Sequence, residues 1–223
     1  MARTITPDFI EGTPEDFLGP LNDVERKNAP DRLFLAGERA LLQNTVRVAI
    51  VGSRRSSKEG AARAARLARS LARAGIVVTS GLAEGIDFAA HLGTMEAEGR
   101  TIAVLGTPLD QAYPAKHTAL QARLVSEHLV VTQFPLGVDV SRHFFVQRNR
   151  TMALICHGSV IVEAGEGSGT LSQGWEALRL GRPLFIMASA KMLDYGAQVL
   201  RDEQDLIAFL PDLPVGEHAG AAF

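Results

Sequence analysis

Four short turns in this sequence carry residue types that could hold an anion. V-A-I-V-G-S-R-R-S-S (48–57) ends an apolar run at Gly52 and sets Ser53 and Arg54 directly after it. T-S-G-L-A-E-G-I-D (79–87) places Ser80 and Gly81 in a similar position, and V-L-G-T-P-L-D (104–110) repeats the form. V-E-A-G-E-G-S-G-T (162–170) contributes Gly167, Ser168, Gly169 and Thr170. Glycine lets the main chain come close to a ligand, and the first amides of a following helix lack intrahelical partners. Such turns favour phosphate.

The type of phosphate site narrows by exclusion. The first turn is not G-x-G-x-x-G, because Ser53 and Arg54 follow Gly52, so a nicotinamide dinucleotide fingerprint is absent. G-x-x-x-x-G-K-[ST] does not occur either, which argues against a P-loop nucleotidase. Arg54 instead offers a permanent charge and a fork of donors, and Ser53 a hydroxyl. This pairing suits one phosphate group, on a nucleotide monophosphate or on one link of a strand.

A further stretch, R-H-F-F-V-Q-R-N-R (142–150), interleaves Arg142, Arg148 and Arg150 with Phe144 and Phe145. Arginine for phosphate with an aromatic platform for bases is how single strands are held without reading sequence. The phenylalanines could equally fill a core, and Asn149 could cap or turn the backbone. Arg148, Asn149 and Arg150 join the candidate site on this reading.

These residues need a scaffold, and the hydrophobic pattern supplies one. Strand-like runs occur at 46–51, 76–80, 101–106, 129–134, 159–164 and 183–188, with helix-like segments near 57–74, 86–98, 116–126, 145–156 and 170–180. Continuous Val/Ile runs alternating with helices predict an α/β fold with a doubly wound, mostly parallel, Rossmann-like sheet covered on both faces. In a parallel sheet the carboxyl ends of the strands share one edge, so the four turns converge there. The expected organisation is one domain: an irregular or helical lead-in over 1–44, a Rossmann-like unit over 45–190, and a short helical, frayed tail over 191–223. In the helix near 57–74, Arg63, Arg66, Arg69 and Arg73 fall within an arc of about 120° opposite the Leu/Ala side. They form either a solvated face or a phosphate-facing one.

The charge balance agrees with local phosphate binding. The whole chain carries −2, yet residues 32–200 hold nineteen basic and thirteen acidic residues, a net of +6 between acidic ends. The one cysteine, Cys156, excludes an intramolecular disulfide and reads as a small buried hydrophobe. No apolar run reaches membrane-span length and the start has no signal-peptide pattern, so a cytoplasmic protein is expected. The histidines show no metal-ligand spacing with Cys156, and neither a metal nor another cofactor is expected.

Taken in order, V-A-I-V-G-S-R-R-S-S, T-S-G-L-A-E-G-I-D-F-A-A-H, Q-F-P-L-G, Q-R-N-R-T-M-A and V-I-V-E-A-G-E-G-S-G-T resemble the DprA/Smf family, the DNA-processing protein A of bacteria. The likeness runs over about residues 29–188. It implies a Rossmann-like domain that binds single-stranded DNA through the G-S-R turn. It also implies a homodimer, and delivery of that DNA to a RecA-like recombinase in recombination or transformation. This chain departs from the family in three places: Glu84 stands where arginine is usual, Gln133 where glutamate is usual, and H-F-F-V-Q-R-N-R replaces N-F-P-x-R-N-R. The winged-helix tail found in many members is not expected within the residues after Ser189.

Enzymatic readings compete with this one. Nucleotide phosphoribohydrolases of the LOG type carry P-G-G-x-G-T-x-x-E at the corresponding late turn, where this chain keeps Gly169-Thr170 but has Gln173 at the glutamate position. An amide cannot exchange protons as a carboxylate does, and Glu176 one helical turn on is the remaining candidate. G-E-G-S-G (165–169) fits a hydrolase elbow in pattern alone. Asp87 and His91 read as a helix cap and a packed imidazole. A nucleotide-sensing module is a third possibility. The reading adopted is a non-enzymatic protein that binds single-stranded DNA.

Overall fold

Each Val/Ile run becomes a strand and each Ala/Leu/Arg segment a helix, close to where the pattern puts them. The computed structural model describes residues 2–3, 6–165, 169–187 and 193–210. In chain order the elements are β1 (Ala2–Arg3), β2 (Ile10–Gly12), α1 (Pro14–Leu18), α2 (Asp23–Asn28), β3 (Leu33–Gly37) and β4 (Arg47–Gly52). They continue with α3 (Lys58–Arg73), β5 (Val77–Ser80), α4 (Ile86–Glu96), β6 (Thr101–Leu105), β7 (Gln111–Ala112), α5 (Thr118–Glu127) and β8 (Leu129–Thr132). The last are α6 (Arg142–Ile155), β9 (Gly158–Glu163), α7 (Thr170–Arg179), β10 (Leu184–Ile186), β11 (Gln198–Val199) and α8 (Glu203–Phe209).

Among the described residues, the main sheet has nine strands in the order β11-β10-β9-β4-β5-β6-β8-β3-β2. The strands from β11 to β8 run parallel, while β3 pairs antiparallel with β8 and β2 with β3. The fold is the expected doubly wound α/β architecture. The lead-in departs from its irregular reading, because Leu33, Phe34, Leu35 and Ala36 form a buried strand that covers the β8 edge. Four prolines and a high acid content before Leu33 masked that short run in the pattern. A separate ladder joins β1 to β7.

The pleat divides the strand side chains between the two faces of the sheet. Val48, Ile50, Val78 and Val160 face Leu67 and Leu71 of α3, Ile86 and Ala90 of α4, and Leu206 of α8. Ala49, Val51, Val104, Val131 and Ile161 face Met152 and Ile155 of α6. Ala103, Leu105 and Val130 pack with Leu124 of α5. Burial on both faces explains why these strands read as unbroken apolar runs.

The chain path sets the site. From β4 it winds through β5, β6 and β8, then crosses back to β9 on the other side of β4. The carboxyl ends of β4 and β9 therefore flank the topological switch point, where doubly wound sheets hold their ligands. No helix among the described residues is long and apolar enough to cross a membrane.

Candidate functional site

At the end of β4, Gly52 is needed for close packing. A Cβ there would overlap Ile86 and lie 2.8 Å from the Glu163 carbonyl oxygen. The Ser53 amide donates to that carbonyl at 2.8 Å, and its hydroxyl oxygen accepts from the Arg55 amide at 3.1 Å. Among the described residues, the Ser53 hydroxyl has no acceptor.

Arg54 stands on the exposed side of the turn and forms no ion pair with any described residue. Its guanidinium lies 5.2 Å from the ring centre of Phe145 and 6.0 Å from that of Tyr113. Those rings are 4.9 Å apart and tilted by 50°. Phe145 reaches this place because it sits in the first turn of α6, which begins at Arg142. Behind it, Phe144 stacks on buried Phe134 with ring centres 4.0 Å apart. One phenylalanine thus serves the core and its neighbour faces the rim. An exposed guanidinium backed by aromatic rings is held in a defined direction without a counter-ion.

The helix amide site after this turn is already filled. The Glu163 carboxylate accepts from the Ser57 amide at 2.8 Å and from the Ser57 hydroxyl at 2.5 Å, with Arg63 at 3.7 Å. The Ser57 hydroxyl and amide hold this carboxyl below its usual range against a smaller effect of burial, with Arg63 adding the least. An internal carboxylate caps α3 and occupies the amide of Ser57.

Four other expected residues form an internal brace. Ser80 is buried and donates to the Ile50 carbonyl at 2.6 Å. Arg148 is buried, donates to the Val104 carbonyl at 2.7 Å and to Asn149 Oδ1 at 3.1 Å, and packs against Gly81. Any Cβ at Gly81 would overlap that guanidinium. Asn149 passes the link on, donating to the Gly169 carbonyl at 3.2 Å. Thus Ser80, Gly81, Arg148 and Asn149 tie four strand-end turns together, and the open surface belongs to Ser53 and Arg54. The sequence spacing could not separate these roles, because burial distinguishes two arginines of identical chemistry.

Burial also governs the charges of the brace. Asp87 caps the Ala83 amide at 3.3 Å; burial pushes its carboxyl up, opposed by Arg148, the Ala83 amide, Ser80 and Arg54. Arg148 is pushed down by burial and supported by Asp87. Cys156 is buried too, and its thiol is pushed up to about 11, which leaves it inert as a nucleophile.

Arg150 is exposed, but it lies on another face of α6 and pairs with Glu176 at 3.1 Å. Glu176 is buried and also faces Arg179 at 3.6 Å. Gln173 is buried and donates to the Ser159 hydroxyl at 3.3 Å. The carboxylate that a LOG-type hydrolysis would need is therefore enclosed between two guanidinium groups. Gly169 caps α7 and Thr170 begins it, while Gly167 and Ser168 lie outside the described residues. Along α3, Arg66 and Arg69 pair with Glu203 and Glu96, each at 2.8 Å, which identifies an ion-paired outer face. Among the described residues no three His, Cys, Asp or Glu side chains gather as a metal site.

The sequence reading missed Tyr113, Phe88, Lys116 and Glu163. Tyr113 and Lys116 belong to the β6–α5 connection, whose path back to the Arg54 turn carries no periodic signal.

Comparison with known proteins adds a further set of findings. The family model described as DNA recombination-mediator protein A matches residues 13–211. A putative DNA processing protein DprA of Mycobacterium tuberculosis is 38% identical over 182 residues, covering 77% of this chain and 46% of that protein. The chain spans about half the length of this relative. The X-ray structure of DprA from Streptococcus pneumoniae superimposes with a TM-score of 0.79 at 32% identity, over 92% of this chain and 75% of that one. DprA from Helicobacter pylori, studied for its single-stranded DNA binding mode, gives 0.77 at 26% identity, over 92% of this chain and 97% of that one.

Proposed function

The chain belongs to the DNA recombination-mediator protein A family, DprA/Smf, and on that premise we propose that it binds single-stranded DNA at the β4–β9 switch point. The observation that carries this reading is Arg54: exposed, without an ion-pair partner among the described residues, and braced over Phe145 and Tyr113. Arg54 and the Ser53 hydroxyl hold one phosphodiester, and the Phe145–Tyr113 pair offers an apolar platform to an adjacent base. The Gly169–Thr170 turn flanks the same edge. Arg150 extends the track only if it exchanges Glu176 for a phosphate.

The protein acts by binding, without a chemical step of its own. It serves recombination or transformation in the cytoplasm, as a homodimer that passes its strand to a RecA-like recombinase. The binding unit is the 45–190 region, with the lead-in strands and the C-terminal helix packed as its supports. The single-strand binding of the Helicobacter pylori relative supports this reading, as does the enclosure of Glu176, which disfavours the hydrolase.

Fluorescence anisotropy with a labelled single-stranded oligonucleotide tests it. Arg54→Ala is expected to weaken binding by about 1.5–3 kcal/mol, the worth of a hydrogen bond to a charged group. Unchanged affinity in the folded variant removes Arg54 from the site.

A further inference from the structure

A cleft of about 330 Å³ opens beside the Arg54 turn, and the backbone grip described above leaves it unused. Arg54, Glu84, Gly85, Phe88, Lys116 and His117 line it. Its floor is aromatic: half-buried Phe88 stacks on buried His117, with ring centres 4.9 Å apart and 20° between the planes. His117 is fixed from behind by a 2.9 Å bond between Nδ1 and the Leu82 carbonyl. At the rim, Glu84 Oε1 and Lys116 Nζ stand 3.1 Å apart, both about half exposed. An ion pair so open to water is weakly held, and either partner can turn to a ligand.

The composition of the cleft selects its occupant. A flat ring floor next to a phosphate-holding arginine suits a nucleobase turned out from a strand. The rim then offers a carboxylate acceptor beside an ammonium donor. Guanine presents N1–H and N2–H as adjacent donors, with the O6 acceptor next to them. Adenine and cytosine each place one amino donor beside a ring acceptor, and thymine sets its single N–H between two carbonyls. Against those edges a carboxylate would meet lone pairs, a mismatch that costs affinity.

We propose that this cleft is a guanine-selective base slot. Glu84 accepts from N1–H and N2–H, Lys116 donates to O6, and the ring lies over Phe88. The proposal rests on the strand-binding reading, which puts the neighbouring phosphodiester on Arg54. It also gives Glu84 a function: the carboxylate faces a base edge and is balanced by Lys116 instead of repelling the backbone.

The test compares labelled oligothymidylates that carry one central dG, dA, dC or deoxyinosine. The dG strand is expected to bind about tenfold more tightly than the dA or dC strand, the discrimination a good bidentate contact supplies. Deoxyinosine, which lacks the N2 amino group, falls between them. Glu84→Met and Lys116→Met are both expected to bring the dG-to-dA affinity ratio close to one. Equal affinities for all strands, with oligothymidylate still bound, overturn the slot and leave the phosphate grip standing. A guanine preference that survives both variants also overturns it. Free dGMP competing as well as the dG strand overturns the strand-borne source, and failure of every oligonucleotide to bind overturns the strand-binding reading itself.

Discussion

Arg54 and Arg148 are the same residue type with opposite roles, and their surroundings decide which is which. Arg54 faces water with aromatic rings behind it, whereas Arg148 is buried and donates to Val104 and Asn149. Removing each should therefore give different signatures. Arg148→Ala deletes two internal hydrogen bonds and leaves a void, so it should lower folding stability by about 2–4 kcal/mol. In urea titrations the midpoint falls, while the salt dependence of strand binding by the folded fraction stays that of the wild type. Arg54→Ala should do the reverse, with an unchanged midpoint and a salt slope shallower by roughly 0.7. Gly81→Ala collides with the Arg148 guanidinium and should mimic Arg148→Ala in the same titration.

At the scale of elements, β4, β5, β6, β8, β9 and β10 were legible because burial on both faces writes them as plain Val/Ile runs. β3 was not, since Leu33–Gly37 is short and follows a proline-rich acidic stretch. The start of α6 was also misread: its first turn contains Arg142, Phe144 and Phe145, whose mixed chemistry hides the helical period. The converging turns were visible in the sequence, but their use was not. Which amides are free depends on Glu163, which is 106 residues from Ser57 along the chain.

Helix α4 carries a pH prediction. His91 is fully buried; because the Thr101 hydroxyl donates to the Val78 carbonyl, Nδ1–H of His91 donates to Thr101 at 2.8 Å. Burial, with smaller contributions from His128, His117 and Arg148, pushes the imidazole down to about 3. The unfolded chain binds a proton near pH 6.5 that the folded chain refuses, so stability is full above that pH and falls as the pH drops towards 3. Between pH 6.5 and 5 this group alone should remove about 2 kcal/mol. Urea midpoints measured across that range check it, and His91→Asn should flatten this part of the profile whatever it costs at neutral pH.

On the scale of the whole molecule, the lead-in is part of the fold. Glu25 of α2 and Arg182, in the turn before β10, form a fully buried ion pair that fastens the chain's beginning to the far side of the sheet. Glu25→Ala breaks this buried pair and should cost about 3–5 kcal/mol, visible as a lower thermal midpoint. The charge distribution supplies the last test. A chain of net charge −2 has no bulk attraction for DNA, so the proposed strand binding requires local cations at the switch-point edge. With one phosphodiester on Arg54 and a second where Arg150 leaves Glu176, log K for a single-stranded oligonucleotide is predicted to fall against log[salt] with a slope of roughly −0.7 to −1.4. Anisotropy titrations over a range of salt concentrations measure that slope directly. A value in that range is the expected result, and binding indifferent to salt would contradict the account.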